Sequence, residues 1–462
     1  MANFGALSSI GLGSSGALSY DIIDKLRKVD EDAQIKPIDR QIEDMKRREE
    51  SLAKIRTMTA SLKGTLFDLS DSVLFAKRTV DVTGSDIEVS VEDGTKAQEI
   101  DVTVKNLAKS DIKQTKGFAS DTAVVTTVDT DMTVTIDGRS TTFTVAANTT
   151  LADLKEQINN EMGGRVDATI LNTGGAEPYR LVLKTTQTGA DQAMSFSFDD
   201  GDPNTTNDDF LDLTIASANV QDAEDALFTF NGVDITRASN SVDDLVAGMT
   251  ITLKDETGAG NHISIKQDNE GIADRVEAFV DGYNTLMSEL GIVTKYDPDT
   301  KETGIFQGDG TITSLKLSVS RIALDIAPNG KGLADFGIEV NRDGVMSFDR
   351  SALIGALESD TDTVSETFAG TQEEPGVFLA LKNYLSDAAT ARDSLLANLD
   401  TQLKEREERL QERRTRALDS IETKYDVMAK RFAAYDAIIG QLNSSFQSLQ
   451  SMIDAQIAAA KK

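Results

Sequence analysis

A regular heptad pattern close to the C-terminus constrains the fold of this 462-residue chain more than any other feature. In the stretch "YDVMAKRFAAYDAIIGQLNSSFQSLQSMI", residues 425–453, apolar side chains recur at alternating intervals of three and four positions. This spacing lines up one side of a helix for continuous contact with another helix, as in a coiled coil. We predict a self-assembly seam that comprises Leu418, Ile421, Tyr425, Met428, Phe432, Tyr435, Ile439, Leu442, Phe446, Leu449 and Ile453.

The charge of this helix changes along its length. Residues 404–431 are crowded with charged side chains, as expected of a solvated face. In residues 433–458, Asp436 and Asp454 are the only acids and there is no base. Because neutral polar groups cost less to desolvate than charges, we expect this second part to be buried against neighbouring helices or subunits.

The N-terminal part of the chain mirrors this pattern. Apolar residues at helical spacing predict a first helix that ends before Pro37, because the residue preceding a proline disfavours the α conformation. A second helix follows, in which the alternation of three and four resumes and reaches Val73. The predicted seam residues on this side are Ile22, Leu26, Val29, Leu52, Ile55, Leu62, Leu66 and Leu69.

The C-terminal helix is too long to be covered by its own neighbourhood. If it runs from Asp393 to Ile457, it spans ~100 Å at 1.5 Å per residue. It therefore needs the N-terminal helices, sister subunits or both as partners. In the simplest geometry, the two ends of the chain pair as an antiparallel coiled-coil or helical-bundle stalk.

Between the two helical ends the apolar pattern changes to period two, which is typical of strands. The pairs Asp137-Gly138 and Asn231-Gly232 predict hairpin turns, because both dipeptides tolerate positive φ angles. A short helix is predicted from Leu151 to Glu161, with Thr149 or Thr150 as its N-terminal cap. We therefore predict a multidomain α+β fold in which two β-rich domains are inserted between the halves of a helical stalk.

These transitions predict four parts of the chain. Helices return after the β region, with a small mixed part that includes a helix at 312–326 and a hairpin at Asp343-Gly344. The four predicted parts are a terminal coiled-coil region that is disordered in the monomer (1–38 and 433–462), a helical stalk domain (39–77 and 271–432), an inner β domain (78–114 and 221–270) and an outer β-rich domain with one helix (115–220).

Composition excludes several classes of function. The chain has 77 acids and 47 bases, a net charge of −30, and no basic patch, so we expect neither nucleic acid nor a membrane as a partner. It has no cysteine, and its single histidine, His262, is interpreted as a surface residue of a strand. Zinc sites and nucleophilic triads draw on these residue types. Without a GxSxG or Walker motif either, we predict no enzyme, no cofactor and no metal site.

Acidic residues concentrate between Lys184 and Arg237, where eleven acids occur and no base. We interpret this stretch as a solvated acidic loop. A calcium loop that starts at Asp200 fits only loosely, because Thr205 and Leu211 stand where such loops carry Gly and Glu.

The first twenty residues contain no Lys or Arg, so they do not have the pattern of a secretory signal peptide. No stretch of the chain approaches the ~20 apolar residues of a membrane span. The Gly and Ser content of this leader indicates either a segment that orders only against partners or a frayed terminus.

Several segments carry a family resemblance in the same order along nearly the whole chain. They include "SSIGLGSSGALSYDIIDKL" near the start, "NGVDITRASNSVDDLVAGMTITLKD" after the acidic stretch, "LADFGIEVNRDGVMSFD", and "IETKYDVMAKRFAAYDAIIGQLNSSFQSLQSM" at the end. In these segments the chain resembles the flagellar hook-associated protein 2 family of filament cap proteins.

The resemblance implies a non-enzymatic assembly factor at the distal tip of the bacterial flagellum. Members of the family form a ring, most often a pentamer, whose β domains make a plate and whose helical parts make legs over the growing filament. The implied partners are further copies of the chain, flagellin, the hook-filament junction proteins and a type III export chaperone. The implied location is extracellular, after export through the flagellar type III system without a cleaved signal peptide.

A second hypothesis is a surface adhesin, in which the β domains and the acidic stretch bind host glycans or matrix. The two hypotheses are compatible, because a cap is exposed at the tip. Electron microscopy of a deletion strain separates them: lost filaments with secreted flagellin support the cap, whereas normal filaments with lost attachment support the adhesin.

Overall fold

The computed structural model describes residues 20–203, 209–299 and 301–460. The chain divides into two compact units, and the division is nested. Residues up to Ser72 and from Ile272 onward form the helical unit, while Val73–Gly271 form the β unit. The order of elements is therefore helix, β, helix, as the sequence predicts.

Nine α-helices lie in the described part of the chain, most of them in the helical unit. Short 3-10 turns at Ser72–Ala76, Ala190–Gln192, Ala216–Ala218 and Leu333–Phe336, and a π-helical turn at Ser386–Thr390, connect some of the elements. The α-helices are α1 (Tyr20–Gln34), α2 (Lys36–Leu69), α3 (Leu151–Glu161), α4 (Asn269–Thr294), α5 (Gly310–Ala323), α6 (Arg350–Ser359), α7 (Thr361–Phe368), α8 (Val377–Leu385) and α9 (Leu395–Ala460).

The strands of the described residues are all paired antiparallel. They are β1 (Arg78–Thr83), β2 (Ile87–Val91), β3 (Gln98–Asn106), β4 (Ile112–Gln114), β5 (Thr130–Ile136), β6 (Arg139–Val145), β7 (Val166–Asn172), β8 (Tyr179–Thr185), β9 (Ser195–Asp199), β10 (Asn219–Gln221), β11 (Ala226–Phe230), β12 (Val233–Arg237), β13 (Ser241–Val242), β14 (Met249–Leu253), β15 (Gly260–Gln267), β16 (Ile338–Val340) and β17 (Met346–Phe348).

The helical unit is built on the packing of α2 against α9. Ion pairs fix the direction: Arg56 lies 3.6 Å from Asp400, while Arg414 lies 2.5 Å from Asp39. Residues later in α2 therefore pair with residues earlier in α9, which makes the two helices antiparallel. This confirms the predicted pairing of the N- and C-terminal helices.

The buried face of α2 follows the spacing of its apolar residues. It consists of Ile38, Ile42, Met45, Leu52, Ile55, Thr59, Leu62, Leu66 and Leu69. Thr59 is tolerated in this apolar row because its hydroxyl donates to the Ile55 carbonyl oxygen at 2.8 Å, as Thr does in helices. The row ends at Leu69, where α2 stops. Val73, the last position of the predicted row, lies in the following 3-10 turn and is exposed.

The second half of the helical unit forms around α4 and α8. Phe279 of α4 contacts Phe378 of α8 edge-to-face, with ring centroids 4.8 Å apart, and Phe368 extends the aromatic cluster at 4.5 Å from Phe378. The predicted hairpin at Asp343-Gly344 joins β16 to β17. The helix predicted to end at Ile326 ends at Ala323 instead, and residues 324–326 lead into a turn.

The β unit contains two separate hydrophobic cores. The first is enclosed by a five-stranded sheet of order β1-β15-β3-β11-β12 and a three-stranded sheet of order β13-β14-β2. The second is enclosed by a four-stranded sheet of order β10-β4-β8-β7, a three-stranded sheet of order β6-β5-β9, and α3. The chain enters and leaves the second core through β4 and β10.

Local sequence signals set the turns and caps of the β unit. Asp137 and Gly138 both adopt positive φ angles in the β5–β6 hairpin, and Asn231 and Gly232 do so between β11 and β12. Thr150 caps α3 by accepting from the backbone N–H of Asp153, and the Asp153 carboxylate accepts in return from the Thr150 N–H. These observations confirm the two predicted hairpins and the predicted helix.

His262 lies on the exposed face of β15, as predicted for a surface residue of a strand. Its Nδ1 is 2.8 Å from Asp101 Oδ1 and its Nε2 is 3.0 Å from Glu99 Oε2, both on the neighbouring strand β3. The hydrogen bond to Asp101 and the charges of the two carboxylates raise the pKa of His262 above its ordinary value.

We expect the single histidine to titrate above its ordinary pKa of about 6.5. Because the folded pKa is raised, His262 contributes stability that is fully present below pH ~6.5 and is lost as the pH rises through the folded pKa. NMR titration of its imidazole resonance measures this value directly. Asp101→Asn should lower the pKa, whereas Asp81→Asn, a change on the next strand, serves as the control. An unshifted pKa in the wild-type protein would contradict the contact.

We expect the second core of the β unit to fold in isolation. Lys109 and Glu224 pair through two backbone hydrogen bonds of 2.8 and 3.2 Å, so the ends of the segment between them are adjacent. The predicted range of 115–220 omits β4, which pairs with β8 in the same sheet. A fragment of residues 109–224 should therefore show a cooperative thermal transition by circular dichroism. The shorter fragment 115–220 should be less stable, and an unfolded 109–224 would argue against an autonomous domain.

Candidate assembly surface on the terminal helices

The contact between α1 and α9 forms a small hydrophobic cluster of its own. Its buried members are Ile23 and Ile35 from the N-terminal side and Ile421, Tyr425 and Ala429 from α9. Leu418, Met428 and Phe432 pack around it and are half-buried. The seam predicted from the heptad pattern is thus in contact with an N-terminal helix over residues 418–432.

Beside this cluster, the side chains of Lys424 and Tyr425 both contact Asp30; we call this arrangement the Asp30 clasp. The Lys424 ammonium lies 2.6 Å from Asp30 Oδ2, and the Tyr425 hydroxyl donates to the same oxygen at 2.9 Å. These two hydrogen bonds hold the pKa of Asp30 below its usual range, and the Asp30 carboxylate raises the pKa of Lys424. Burial raises the pKa of the Tyr425 hydroxyl. The clasp fixes α1 to α9 at one register.

Beyond this cluster the apolar side of α9 is exposed. We call the exposed apolar residues of this side the terminal stripe, and their side chains are between 50 and 68% exposed. Ile439, in the same row, is half-buried. The terminal stripe consists of Tyr435, Ile438, Leu442, Phe446, Leu449, Met452, Ile453 and Ile457.

The charge of α9 changes at the start of the terminal stripe. Up to Lys430 the helix carries ion pairs one turn apart, such as Lys404 with Asp400 and Lys430 with Asp426. From residue 433 to residue 457 it has no base, and its solvent-facing positions are mainly Gln, Asn, Ser and Ala. Burying a leucine side chain is worth about 1.5–3 kcal/mol, so an exposed row of this length has a strong tendency to associate.

The predicted seam residues fall into three groups in the structure. Leu52, Ile55, Leu62, Leu66 and Leu69 are fully buried inside the helical unit. Leu418, Ile421, Tyr425, Met428 and Phe432 lie at the α1–α9 contact, whereas Tyr435, Leu442, Phe446, Leu449 and Ile453 are exposed. Ile22, Leu26 and Val29 are also exposed, between 44 and 63%. Their role in self-assembly stays a prediction.

Ile23 is the residue of α1 that the seam prediction missed. It fills the contact with Ile421, Tyr425 and Ala429, while Ile22 beside it faces solvent. Both isoleucines fit a helical period, so the sequence alone carries no signal that separates them. In the structure, Asp30 lies seven residues after Ile23 and contacts Lys424 and Tyr425 of α9, which shows the side that meets α9.

Within the described residues we find no group of three or more His, Cys, Asp or Glu side chains placed to hold a metal ion. A search of the same part of the chain also finds no helix that is both long and apolar enough to cross a membrane. The centre of the acidic loop, residues 204–208, lies outside the described residues, as does the leader at 1–19.

Comparison with known protein families matches both ends of the chain to the same family. Residues 15–111 match the flagellar hook-associated protein 2 N-terminus, and residues 223–444 match the flagellar hook-associated protein 2 C-terminus. Together the two matches cover more than half of the sequence. The chain belongs to the flagellar hook-associated protein 2 family. Residues 112–222, which include the second core of the β unit, lie between the two matches.

Relatives that carry the name of this family occur in several bacteria. A flagellar hook-associated protein 2 from Campylobacter jejuni is 33% identical over 79% of this chain and 64% of its own length. One from Helicobacter pylori is 25% identical over 99% of both chains. The match thus spans somewhat less than two thirds of the Campylobacter jejuni protein.

A solved structure shows the same fold. The crystal structure of the D1-D2-D3 domains of the flagellar cap protein FliD from Escherichia coli superposes with a TM-score of 0.57 at 22% identity. It matches 77% of this chain and 99% of that chain. This confirms the α+β fold with β-rich parts between paired N- and C-terminal helices.

The flagellar hook-associated protein 2 family is the family of the filament cap at the flagellar tip. Its members are structural proteins without catalytic activity, which confirms the prediction that this chain is not an enzyme. The family also implies assembly with other flagellar components and a location at the extracellular tip of the flagellum.

We expect Asp30→Asn to loosen α1 from α9. Because the folded pKa of Asp30 is lowered, its contribution to stability is present above the unfolded pKa and is lost as the pH falls through the folded pKa. The variant should show faster hydrogen exchange in α1 than the wild-type protein at neutral pH, and this difference between the two proteins should disappear when both are measured in acid. Asp32→Asn is the matched control, since Asp32 pairs with Lys36 rather than with α9. Equal exchange in both variants would show that the clasp contributes nothing.

Proposed function

We propose that this protein forms a homo-oligomeric ring of five subunits at the tip of the flagellar filament, and that the ring promotes insertion of exported flagellin and prevents its loss. The observation that carries the proposal is the terminal stripe, an apolar row without a partner in the described part of the chain. A ring of cap subunits supplies such partners.

The register of the helical unit supports a terminal coiled-coil region built from 1–38 and 433–462. Asp30 pairs with Lys424 and Asp39 with Arg414, so α1 and the start of α2 run antiparallel to α9. The terminal stripe lies on α9 beyond this contact. Residues 1–19 lie outside the described residues, and the predicted disorder of the terminal region in the monomer stays a prediction.

The neutral face of the same helix is the second support. Subunits of a ring bury side chains at the interfaces between them. Burying the charged side chains of residues 404–431 at such an interface would cost desolvation free energy. Burying the uncharged Gln, Asn and Ser side chains of residues 433–457 costs less free energy than burying charged side chains. We therefore place the contacts between subunits at the terminal part of α9 rather than at its charged part.

The remaining partners follow from membership of the family. We propose flagellin as the substrate of assembly, the hook-filament junction proteins as the first surface on which the ring sits, and a type III export chaperone as the partner before export. We propose export through the flagellar type III system without a cleaved signal peptide. The adhesin hypothesis stays a prediction.

We expect the double substitution Leu442→Asp and Phe446→Asp to abolish ring formation. Both side chains are exposed in the monomer, so the fold should persist, but two carboxylates buried at an interface cost several kcal/mol. Solution mass measured by light scattering reports the loss of the oligomer. Electron microscopy of a deletion strain complemented with the variant should show short or missing filaments and secreted flagellin monomers.

Val427→Asp is the matched control for this experiment. Val427 is exposed on α9 but lies in the charged part of the helix, away from the seam. The control should form rings and support full-length filaments. If the Leu442 and Phe446 variant also caps filaments normally, the terminal stripe is not the assembly surface.

A further inference from the structure

The helical unit carries a second exposed apolar surface, on α5 and the turn that follows it. Leu317, Leu324 and Ile326 are each more than half exposed. Leu317 and Leu324 are seven residues apart, which is close to two helical turns, so they lie on one side of α5 and its C-terminal cap. The other side of α5, with Ile312 and Val319, is buried in the core. The helix therefore has two apolar sides, and only one of them is covered in the described chain.

Two clefts flank this outer side of α5. The first encloses about 410 Å³ between Gly291 of α4, Leu317 of α5 and Val345 of the hairpin turn. The second has the same volume and is lined by Leu324, Ile326 and residues of β16. Because the clefts open beside positions two turns apart, they are separated by roughly 10 Å along α5. Residues i and i+7 of a second helix have the same separation.

The charge around the clefts selects an acidic partner. Among the described residues, Lys316, Arg321 and Arg342 make no ion pair, although the chain has a net charge of −30. Nearby cations behave differently: Lys331 and Arg350 each lie within 3.1 Å of a carboxylate. Lys316 and Arg342 line the first cleft, and Arg321 lies on α5 between Leu317 and Leu324. These three cations along the outer side of α5 complement carboxylates.

Acidic side chains border the clefts as well. Asp343 lines the first cleft, and Glu339 and Asp335 line the second, where Asp335 is engaged with Lys331 at 3.1 Å. The helix α5 itself contains two bases and no acid from Gly310 to Ala323. The side of α5 that faces outward is therefore basic and apolar within an otherwise acidic protein.

We propose that the outer side of α5 is a docking site for an acidic amphipathic helix of a partner protein. Two apolar side chains, seven residues apart on the partner, enter the two clefts. Carboxylates on the flanks of the same helix pair with Lys316, Arg321 and Arg342. The site is separate from the terminal stripe.

A fluorescent peptide tests the proposal on the full-length protein. The probe is a helical peptide of alanine and glutamate that carries two leucines seven residues apart, and its counterpart has lysine in place of glutamate. Fluorescence anisotropy should show saturable binding of the glutamate peptide, weakened by salt. The lysine peptide should bind at least about tenfold more weakly, because opposite charges across an interface set the choice of partner.

Two variants locate the binding. Leu317→Ser with Leu324→Ser should weaken the glutamate peptide by at least about tenfold, because each leucine contact buries apolar area. Both residues are exposed, so the fold should be unchanged. Lys316→Glu, Arg321→Glu and Arg342→Glu together should reverse the preference between the two peptides. Phe67→Ser, at an exposed apolar residue of α2, is the control and should leave binding unchanged.

Three results would overturn the proposal. The first is a glutamate peptide that shows no saturable binding, and the second is binding that survives the leucine double substitution. The third is a combination of two results: the glutamate peptide fails to bind, and the leucine double substitution lowers the mass of the protein in solution. The surface would then be a contact between copies of this chain.

Discussion

The antiparallel packing of α2 on α9 is the contact on which the helical unit depends. The two helices are separated in sequence by the whole β unit, and their buried row of aliphatic residues brings the two ends of the chain together. The α8 helix also packs against α2, and α4 contacts α8 through their aromatic cluster. Because α9 continues well beyond the end of this packing, the same helix that completes the core also presents the terminal stripe.

Much of this arrangement could be predicted from the sequence, because local signals and tertiary packing agree. Every seam position predicted for α2 from Leu52 to Leu69 is buried, since a helix packed along its length on another helix keeps one side covered. Asn231-Gly232 and Thr150 act through their own backbone neighbours, so their turn and cap need no distant information.

Other features could not be predicted, because several stripes on one helix satisfy the same period. On α1 the row of Ile22 and Leu26 is as regular as the side that carries Ile23, and only the approach of α9 decides which is buried. On α5 the exposed Leu317 and Leu324 look like core residues by type. Periodicity shows that a helix has an apolar side, but the number of neighbours that cover it is a property of the assembled structure.

The distance in sequence between α2 and α9 also determines the order in which the protein can fold. Contacts between residues so far apart in sequence carry a loop-closure entropy cost and form slowly, and the contact between α2 and α9 cannot form before both helices are available. The two cores of the β unit lie wholly within Val73–Gly271 and have no such requirement. A chain that emerges from its N-terminus can therefore complete the β unit first, while α2 waits as an unpaired helix for the last part of the sequence. On this reasoning we expect the helical unit to form last, and the terminal stripe to become a continuous surface only once all of α9 is available.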